Sequence, residues 1–489
     1  MLTTLYPTVT MIRVIRFSGR AQPNIASRSS PITKVPPEII REVFKLVVLS
    51  SEEARSHGVK SLCLVDKCWN DIANATSDLW TKVTLAYPFH ADQLSASQKW
   101  LKASEPKVID VEVDFRDPAR YEYREEDLDS LADPAPLRGV VAVLCGSEHR
   151  WRSISVNSDT WSPIQKFAQA WVTPSLPALE SISFDSFARS LVPYIPVVPQ
   201  RLTEWPALFG RNWTPMPKLR EVTLCAIPVD WTPAAVISFQ NLRKLVVINR
   251  PNEVGPTFEQ FSTVLAASPR LETLEVAGYH PFPGDPHTQA QTALVHLPAL
   301  KHLVFEWSCY EFAYYFLAMF QIPETLETLS LAEECGLEGS EAAVFNSSQI
   351  FNLLANLGSG SSKDRDPSRP WISMLGLKRL SVTWVQSKPY ELIALLQKAP
   401  IIEEIYLTDV GKTTLEAIAT LAETHFPKRL NIHCIWSSVY KSEEARLFAE
   451  RLQGLGLEVI AKLSGEVGRD IIPIKLGPQL NKEDAERAL

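Results

Sequence analysis

The chain has 489 residues, and its 49 basic and 56 acidic side chains give a formal net charge of −7. Hydrophobic residues make up 45% and charged residues 21% of it, as in ordinary folded domains. The acidic balance argues against a general nucleic-acid-binding protein, which usually concentrates basic residues on one face. Since no run approaches ~18 apolar residues, no membrane-spanning segment and no membrane partner are expected.

Residues 1–32 form a distinct stretch, because the chain has no acidic side chain before Glu38. Its composition predicts a disordered basic leader over residues 1–32. A mitochondrial transit peptide has a similar composition, so mitochondria are a minor alternative to a location in the cytoplasm or nucleus. The basic residues before Glu38 are Arg13, Arg16, Arg20, Arg28 and Lys34.

A short helical module is predicted next, over residues 33–85. Prolines are tolerated in the first turn of a helix, so the sequence predicts a helix from Pro36 and Pro37 onward, with one apolar stripe. A polar loop from Ser50 to Gly58 and a second amphipathic helix over residues 62–73 follow. About 50 residues cannot bury a full core alone, so this module is expected to pack against other structure.

The order Pro-Pro-Glu-Ile, helix, Leu-x-Leu-Val-x-x-x-Trp-x-x-Ile-Ala and Leu-Trp resembles the F-box, in particular that of fungal F-box-like proteins. This resemblance implies binding to a Skp-type adaptor and, through it, to the cullin scaffold of a cullin–RING ubiquitin ligase. A plain helical cap of a repeat array is the alternative interpretation. The positions that match, and that the resemblance implies contact the adaptor, are Pro36, Pro37, Ile39, Val43, Leu62, Leu64, Val65, Trp69, Ile72 and Trp80.

Eight copies of the pattern apolar-x-x-apolar-x-apolar follow, with a period in the twenties and two insertions. Weaker copies precede them near Ile109 and Trp151. Amphipathic patterns between the copies predict helices, so each repeat is expected to consist of a strand, a connection and a helix. The eight copies begin at Leu179, Leu219, Leu242, Leu271, Leu300, Leu326, Leu377 and Ile402.

These copies resemble the irregular leucine-rich repeats that commonly follow an F-box, although most lack the Asn or Cys of the full pattern. The predicted fold is therefore α/β: a short helical F-box-like module, then a leucine-rich-repeat-like strand–helix solenoid (a horseshoe) over residues 86–462. The Gly/Ser-rich residues 358–370 are predicted to be a mobile loop, and residues 463–489 a partly disordered tail.

Side chains alternate along a strand, so the residue between the last two anchors of each copy is expected on the concave face. Aromatic and apolar residues within a polar rim are typical of protein interfaces, which favours an unidentified protein substrate as the ligand. Loops at the edge of the solenoid are the alternative site. The predicted target-binding residues are Val246, Glu275, Val304, Ser381 and Tyr406.

Catalytic and metal-binding motifs are missing from the sequence. It contains no H-E-x-x-H, G-x-S-x-G or G-x-G-x-x-G, and its seven scattered cysteines form no CxxC pair. We therefore expect no enzyme, no catalytic residue, no metal and no cofactor, and scattered free cysteines favour a reducing compartment. The aromatic run from Trp307 to Phe320 is expected to pack in the core, with a ligand cage as the minority interpretation.

The sequence thus predicts a substrate-recognition adaptor of an SCF-type, cullin–RING ubiquitin ligase, acting in ubiquitin-dependent protein degradation. An F-box and leucine-rich-repeat scaffold that acts outside ubiquitination is the alternative. An enzyme with an unrecognised site in the groove of the solenoid ranks third.

Overall fold

The computed structural model divides the chain into two compact units, Met1–Thr76 and Ser77–Leu489, which are described separately. The predicted leader, most of the predicted loop and most of the predicted tail lie outside the described residues. The described residues are 35–50, 52–116, 134–159, 161–169, 176–186, 216–227, 229, 231, 239–248, 256–278, 294–307, 310–333, 348–357, 369–385, 388–408, 410, 412–424, 431–436, 448, 450–451, 458–463 and 473–475.

Three helices make up the described part of the first unit: α1 (Pro37–Leu49), α2 (Glu52–Cys63) and α3 (Lys67–Asn74). The predicted loop over residues 50–58 is wrong, because residues 52–58 are already helical. A glycine in this helix allows a close approach to α1, since a Cβ at Gly58 would lie 3.3 Å from Val48 Cγ2.

The predicted second helix over residues 62–73 is interrupted. Residues 64–66 connect α2 to α3, and Asp66 is the N-cap of α3. The carboxylate of Asp66 accepts a hydrogen bond from the backbone N–H of Trp69 at 2.7 Å. Such a cap satisfies a backbone donor that the first turn of the helix leaves without a partner, so it favours a new helix start at this point.

The second unit begins with a 3-10 turn, Ser77–Trp80, and is built on strands. Trp80 is buried against Trp100 in an edge-to-face contact, with ring centroids 5.1 Å apart. The strands are β1 (Lys82–Ala86), β2 (Ile109–Asp114), β3 (Trp151–Ser158), β4 (Ser181–Ser186), β5 (Glu221–Cys225), β6 (Lys244–Ile248), β7 (Thr273–Ala277), β8 (Val295–His296), β9 (His302–Trp307), β10 (Phe320–Ile322), β11 (Thr328–Glu333), β12 (Trp371–Ile372), β13 (Arg379–Thr383), β14 (Glu404–Thr408), β15 (Asn431–Trp436), β16 (Glu458–Leu463) and β17 (Pro473–Lys475).

Fourteen of these strands form one long sheet in the order β1-β2-β3-β4-β5-β6-β7-β9-β11-β13-β14-β15-β16-β17. Neighbouring strands run parallel except for the last pair, in which β17 is antiparallel to β16. Every predicted copy of the repeat supplies one strand of this sheet, and so do the two weaker copies near Ile109 and Trp151. The α/β class and the repeating parallel strands are therefore confirmed.

One hydrogen-bond arrangement recurs from copy to copy at the entrance to each strand. The carbonyl of Glu272, for example, accepts the N–H groups of Lys301 and His302 at 2.9 and 3.0 Å. The carbonyl of Lys301 in turn accepts those of Glu327 and Thr328. The equal offset in every copy keeps the strands in one register, so equivalent positions of successive copies line up in rows across the sheet.

Helices pack on one face of the long sheet, and leucines, valines and aromatic residues from both layers form a continuous core. The strand residues of the opposite face are mostly half-buried, in the alternation that a sheet with one open side produces. We call this second side the open face. The helices of this unit are α4 (Ala91–Ala103), α5 (Pro134–Leu144), α6 (Trp161–Gln169), α7 (Phe258–Ala266), α8 (Tyr310–Leu317), α9 (Ser348–Leu357), α10 (Pro389–Leu396) and α11 (Lys412–Thr424).

A second, three-stranded parallel sheet joins β8, β10 and β12 in the order β12-β10-β8. Each of these short strands precedes a long strand of the main sheet, so three successive copies contribute one strand to each sheet. This second sheet could not be predicted from the sequence, because strands of two or three residues produce no periodic pattern. None of the described helices has the length and apolarity needed to cross a membrane.

Candidate functional site

The helical unit exposes six apolar side chains, on α1 and in the connection between α2 and α3, which together we call the apolar face. Each of them has about half or more of its surface accessible, and Leu64 reaches 85%. Helical spacing places those of α1 on one side, while two more lie in the connection to α3. The apolar face consists of Ile39, Val43, Leu46, Val47, Leu64 and Val65.

The apolar stripe predicted for α1 divides into two faces in the structure. Ile40, Phe44 and Val48 point inward and are buried, with 6% exposure or less. Residues one position earlier, such as Ile39 and Val43, are rotated by about 100° around the helix and face outward. The predicted stripe combined buried and exposed residues, because α1 has apolar residues at adjacent positions, which lie on both faces of the helix.

The remaining predicted adaptor-binding residues fall into three groups. Pro36 and Pro37 are exposed at the start of α1. Leu62 and Trp69 are half-buried, and the ring of Trp69 packs against that of Phe44 with centroids 4.9 Å apart. Two others are buried and so present no surface to a partner: Ile72 in the first unit and Trp80 in the second.

An exposed apolar face of this kind is unusual on a soluble domain. Single exposed leucines are normal, but contiguous apolar patches mark sites of interaction with other molecules. Leu46, three residues after Val43 and 74% exposed, belongs to this face, although the sequence analysis missed it. Its spacing of three residues from Val43 could have placed it on the same side of the helix. The apolar face is the candidate docking surface of the helical unit.

A second candidate surface is a single row of side chains on the open face, which we call the central row. Pairwise register places in it one residue of each strand of the long sheet from β2 to β15, so the five predicted target-binding residues lie in one line across the sheet. The central row is Glu112, Ser155, Ser183, Thr223, Val246, Glu275, Val304, Ser330, Ser381, Tyr406 and His433.

One of the predicted exposed positions is wrong. Val246 is only 4% exposed, so it cannot supply the accessible apolar centre that the sequence analysis assigned to it. Its register partners are Thr223 on β5 and Glu275 on β7. Val304, Glu275, Ser381 and Tyr406 are half-buried and remain accessible.

Near one end of the central row, four side chains form a polar and aromatic cluster. Arg379 donates to Glu404 at 2.5 Å, and the hydroxyl of Tyr406 lies 3.2 Å from the same carboxylate oxygen. The ring of Tyr406 stacks on that of His433, with centroids 4.3 Å apart and planes 6° apart. The hydrogen bond from Arg379 lowers the pKa of Glu404, whereas burial and the neighbouring carboxylate raise the pKa of Tyr406.

In the middle of the open face lie two carboxylates, Glu275 on β7 and Glu306 on β9. Glu275 is in register with Val304, and Glu306 follows two residues later on the same side of β9. Burial raises the pKa of both side chains, and the charge of Glu275 raises that of Glu306 further. The charge of Lys244 opposes part of the rise for Glu275.

Four residues of the aromatic run belong to the core: Trp307, Phe312, Phe316 and Phe320 are buried, and Phe316 stacks on Phe305 with centroids 4.2 Å apart. Tyr314, in the same run, is 40% exposed. Within the described ranges, no three His, Cys, Asp or Glu side chains are arranged to hold a metal ion.

No family model matches the chain, and no curated protein shows significant similarity to it. The apolar face and the central row are therefore the two surfaces that bear on the function of the chain.

Proposed function

We propose that the chain is a substrate-recognition adaptor of a cullin–RING ubiquitin ligase, in which the helical unit docks a Skp-type adaptor and the strand–helix array binds a target protein. The observation that carries the proposal is the apolar face. Four of its six residues, Ile39, Val43, Leu64 and Val65, are positions at which the F-box resemblance expects adaptor contacts. Val47 and Leu46 extend the same surface.

The energetics of the apolar face favour a protein partner. Burying apolar surface contributes roughly 25 cal/mol per Å², so several side chains that are half or more exposed offer a substantial driving force. Protein interfaces place such apolar residues at their centre and polar residues at their rim. The polar side chains around this face, including the ion pair of Lys45 with Glu42 at 2.8 Å, would form such a rim.

The second part of the proposal is that the array holds the target. A leucine-rich-repeat-like array offers many side chains from successive parallel strands on one face, and the central row is such a series. The role of this chain would then be positional: by binding ligase and target together, it raises the effective concentration of a target lysine near the charged ubiquitin conjugate. No chemistry is required of its own residues.

The test is the substitution Leu64→Asp in the full-length protein. Leu64 is 85% exposed, so the charge should leave the helices folded, whereas in a complex the charge would be buried at a cost of several kcal/mol. That cost corresponds to a loss of adaptor affinity of more than about 100-fold. Gln98→Glu, which adds the same charge at an exposed position on α4 of the second unit, is the matched control.

Purified Skp-type adaptor is titrated onto both variants and onto the unsubstituted chain, with circular dichroism as the check on folding. Adaptor binding that survives Leu64→Asp with an unchanged spectrum would remove the F-box assignment. Adding the cullin to the complex then separates the two roles considered from the sequence: a ligase adaptor recruits it, whereas a scaffold that acts outside ubiquitination does not.

A further inference from the structure

The helix layer of the second unit has an outer side, turned away from the long sheet, and two neighbouring helices leave this side without charge. α9 packs between α8 and α10. The sequence of α9 contains no charged residue, and the one charged residue within α10, Glu391, is buried. The outer surface of both helices is therefore uncharged, and a depletion of charge is typical of the centre of a protein interface.

The uncharged side chains on this outer surface are arranged for contact with another helix. On α9, the positions i, i+3, i+4 and i+7 counted from Gln349 all remain exposed or half-buried, which is the spacing of a helix-packing stripe. Tyr390 on α10 is 62% exposed, more than any other large apolar side chain that the structure describes in the second unit. Tyrosine is among the residues that dominate interface energies. We call this surface the outer helix face, and it consists of Gln349, Asn352, Leu353, Asn356, Tyr390 and Ile393.

We propose that the outer helix face binds the same face of a second copy of this chain, so that the protein forms a two-fold symmetric dimer. In such an interface, each residue near the two-fold axis meets its own copy. A charged side chain at the axis repels itself, whereas the amides of Asn352 and Asn356 can both donate and accept hydrogen bonds. An uncharged amide stripe beside Leu353 is therefore suited to contact with itself.

Charges at the border of the outer helix face determine how the two copies pair. The three helices run in the same direction, because each connects one strand of the parallel sheet to the next. A two-fold axis along α9 brings α8 of one copy against α10 of the other, with their first turns at the same end. Glu311 is exposed in the first turn of α8, and Lys388 is exposed at the N-cap of α10. The acidic residue of each copy therefore faces the basic residue of the other.

The size of this contact sets the expected strength of the dimer. The helices α8, α9 and α10 have 8, 10 and 8 residues. At about 1.5 Å per residue, and with neighbouring axes about 10 Å apart, they cover roughly 400 Å² in projection. Contacts of this size lie at the low end for protein interfaces, where complexes are weak and transient. The dimer is therefore expected to dissociate at micromolar concentrations.

The dimer goes beyond the proposed function and does not rest on it. The outer helix face includes no residue of the apolar face or of the central row, so each copy keeps its own docking surfaces. A target protein that has two binding segments gains avidity from two linked copies.

The test is sedimentation velocity of the full-length protein over a range of micromolar concentrations. Asn352→Asp places a charge next to its own copy, and it keeps both the size of the side chain and the oxygen that accepts from Asn356 at 3.2 Å. Tyr390→Ala removes the most exposed side chain of the face. Gln98→Glu, at an exposed position on α4, is the matched control for an added charge. Circular dichroism and the melting temperature check the folding of every variant.

We expect a dimer in the unsubstituted chain and in Gln98→Glu, and a dissociation constant at least tenfold higher in Asn352→Asp and in Tyr390→Ala. A chain that stays monomeric at all these concentrations would overturn the proposal. So would a dimer that dissociates on Leu64→Asp but is unaffected by Asn352→Asp, because the contact would then lie on the apolar face.

Charge reversal tests the pairing of the two copies. Glu311→Lys and Lys388→Glu should each weaken the dimer several-fold, and the two together should restore it, because the reversed pair attracts again. Single reversals without effect, or effects that add instead of cancelling, would overturn the pairing of α8 with α10 across the two-fold axis.

Discussion

Phe44 on α1 and Trp69 on α3 pack against each other with ring centroids 4.9 Å apart and planes inclined by 57°. This contact joins the first and last helices of the helical unit through side chains that face inward. It assigns Trp69 mainly to the stability of the unit, although the sequence pattern grouped it with the adaptor-binding residues. Core and docking residues can therefore be separated by substitution.

The first prediction concerns that separation. Phe44 is 1% exposed, so Phe44→Ala should destabilise the helical unit by about 3–5 kcal/mol, the usual cost of removing a buried aromatic ring. Leu64→Ala removes a side chain that is 85% exposed and should change stability by less than about 0.5 kcal/mol. Thermal denaturation of both variants checks this, and an equal loss from the two would show that Leu64 is part of a core.

How far the sequence predicts the helical unit depends on which signal each segment carries. The proline-led start of α1 was predictable, because Pro37 fits the first turn and nowhere later. Residues 52–58 read as a loop, because their polarity outweighed the weak helical spacing of the few apolar residues. Asp66 could have been recognised as an N-cap, but Leu64 and Val65 just before it continue the apolar pattern of a helix.

In the second unit, strands were predictable wherever a copy retained all three apolar anchors. β15 was missed for a specific reason: Arg429 stands three residues before Ile432, where the other copies have their first anchor. The rows on the open face followed from alternation alone. The stack of Tyr406 on His433 could not be predicted, because the strand that carries His433 was not recognised.

A second prediction tests the close packing of two turns in the second unit. A Cβ at Gly376 would overlap the backbone carbonyl oxygen of Glu324, so an alanine cannot be accommodated without a shift of the backbone. Gly376→Ala should therefore destabilise the second unit by about 1–3 kcal/mol or more, as overpacking does. Gly146→Ala is a useful comparison, because a Cβ there meets no atom within 4 Å and only the positive φ of 93° opposes it.

A third prediction follows from the raised pKa of Glu275 and of Glu306. A carboxylate whose pKa is higher in the folded than in the unfolded state binds its proton more tightly when folded. Stability then falls as the pH rises from the ordinary pKa of about 4.3 through the raised value, and each tenfold gain in proton affinity corresponds to about 1.4 kcal/mol.

The double variant Glu275→Gln with Glu306→Gln should remove this dependence. We expect a higher melting temperature than that of the unsubstituted chain at pH 7, and a much smaller difference at pH 4. Scanning calorimetry at both pH values measures it. A variant that is less stable at pH 7 would mean that the two carboxylates are stabilised in the fold, in conflict with their raised pKa values.

The last prediction concerns the target surface as a whole. Tyr406 offers the largest accessible aromatic surface in the central row, and Ser381 lies beside it in register on β13. If a target protein binds the open face, Ser381→Asp combined with Tyr406→Ala should reduce its recovery by at least tenfold, because aromatic residues dominate interface energies and a charge would be buried without a partner. Tyr314→Ala is the matched control, since Tyr314 is an equally large side chain, 40% exposed, on α8. Recovery of the target protein is measured by quantitative mass spectrometry after affinity purification, with Skp-type adaptor binding and the melting temperature as checks on folding.

If the recovery of the target is unchanged and both checks are intact, the target site lies on the loops at the edge of the array rather than on the open face.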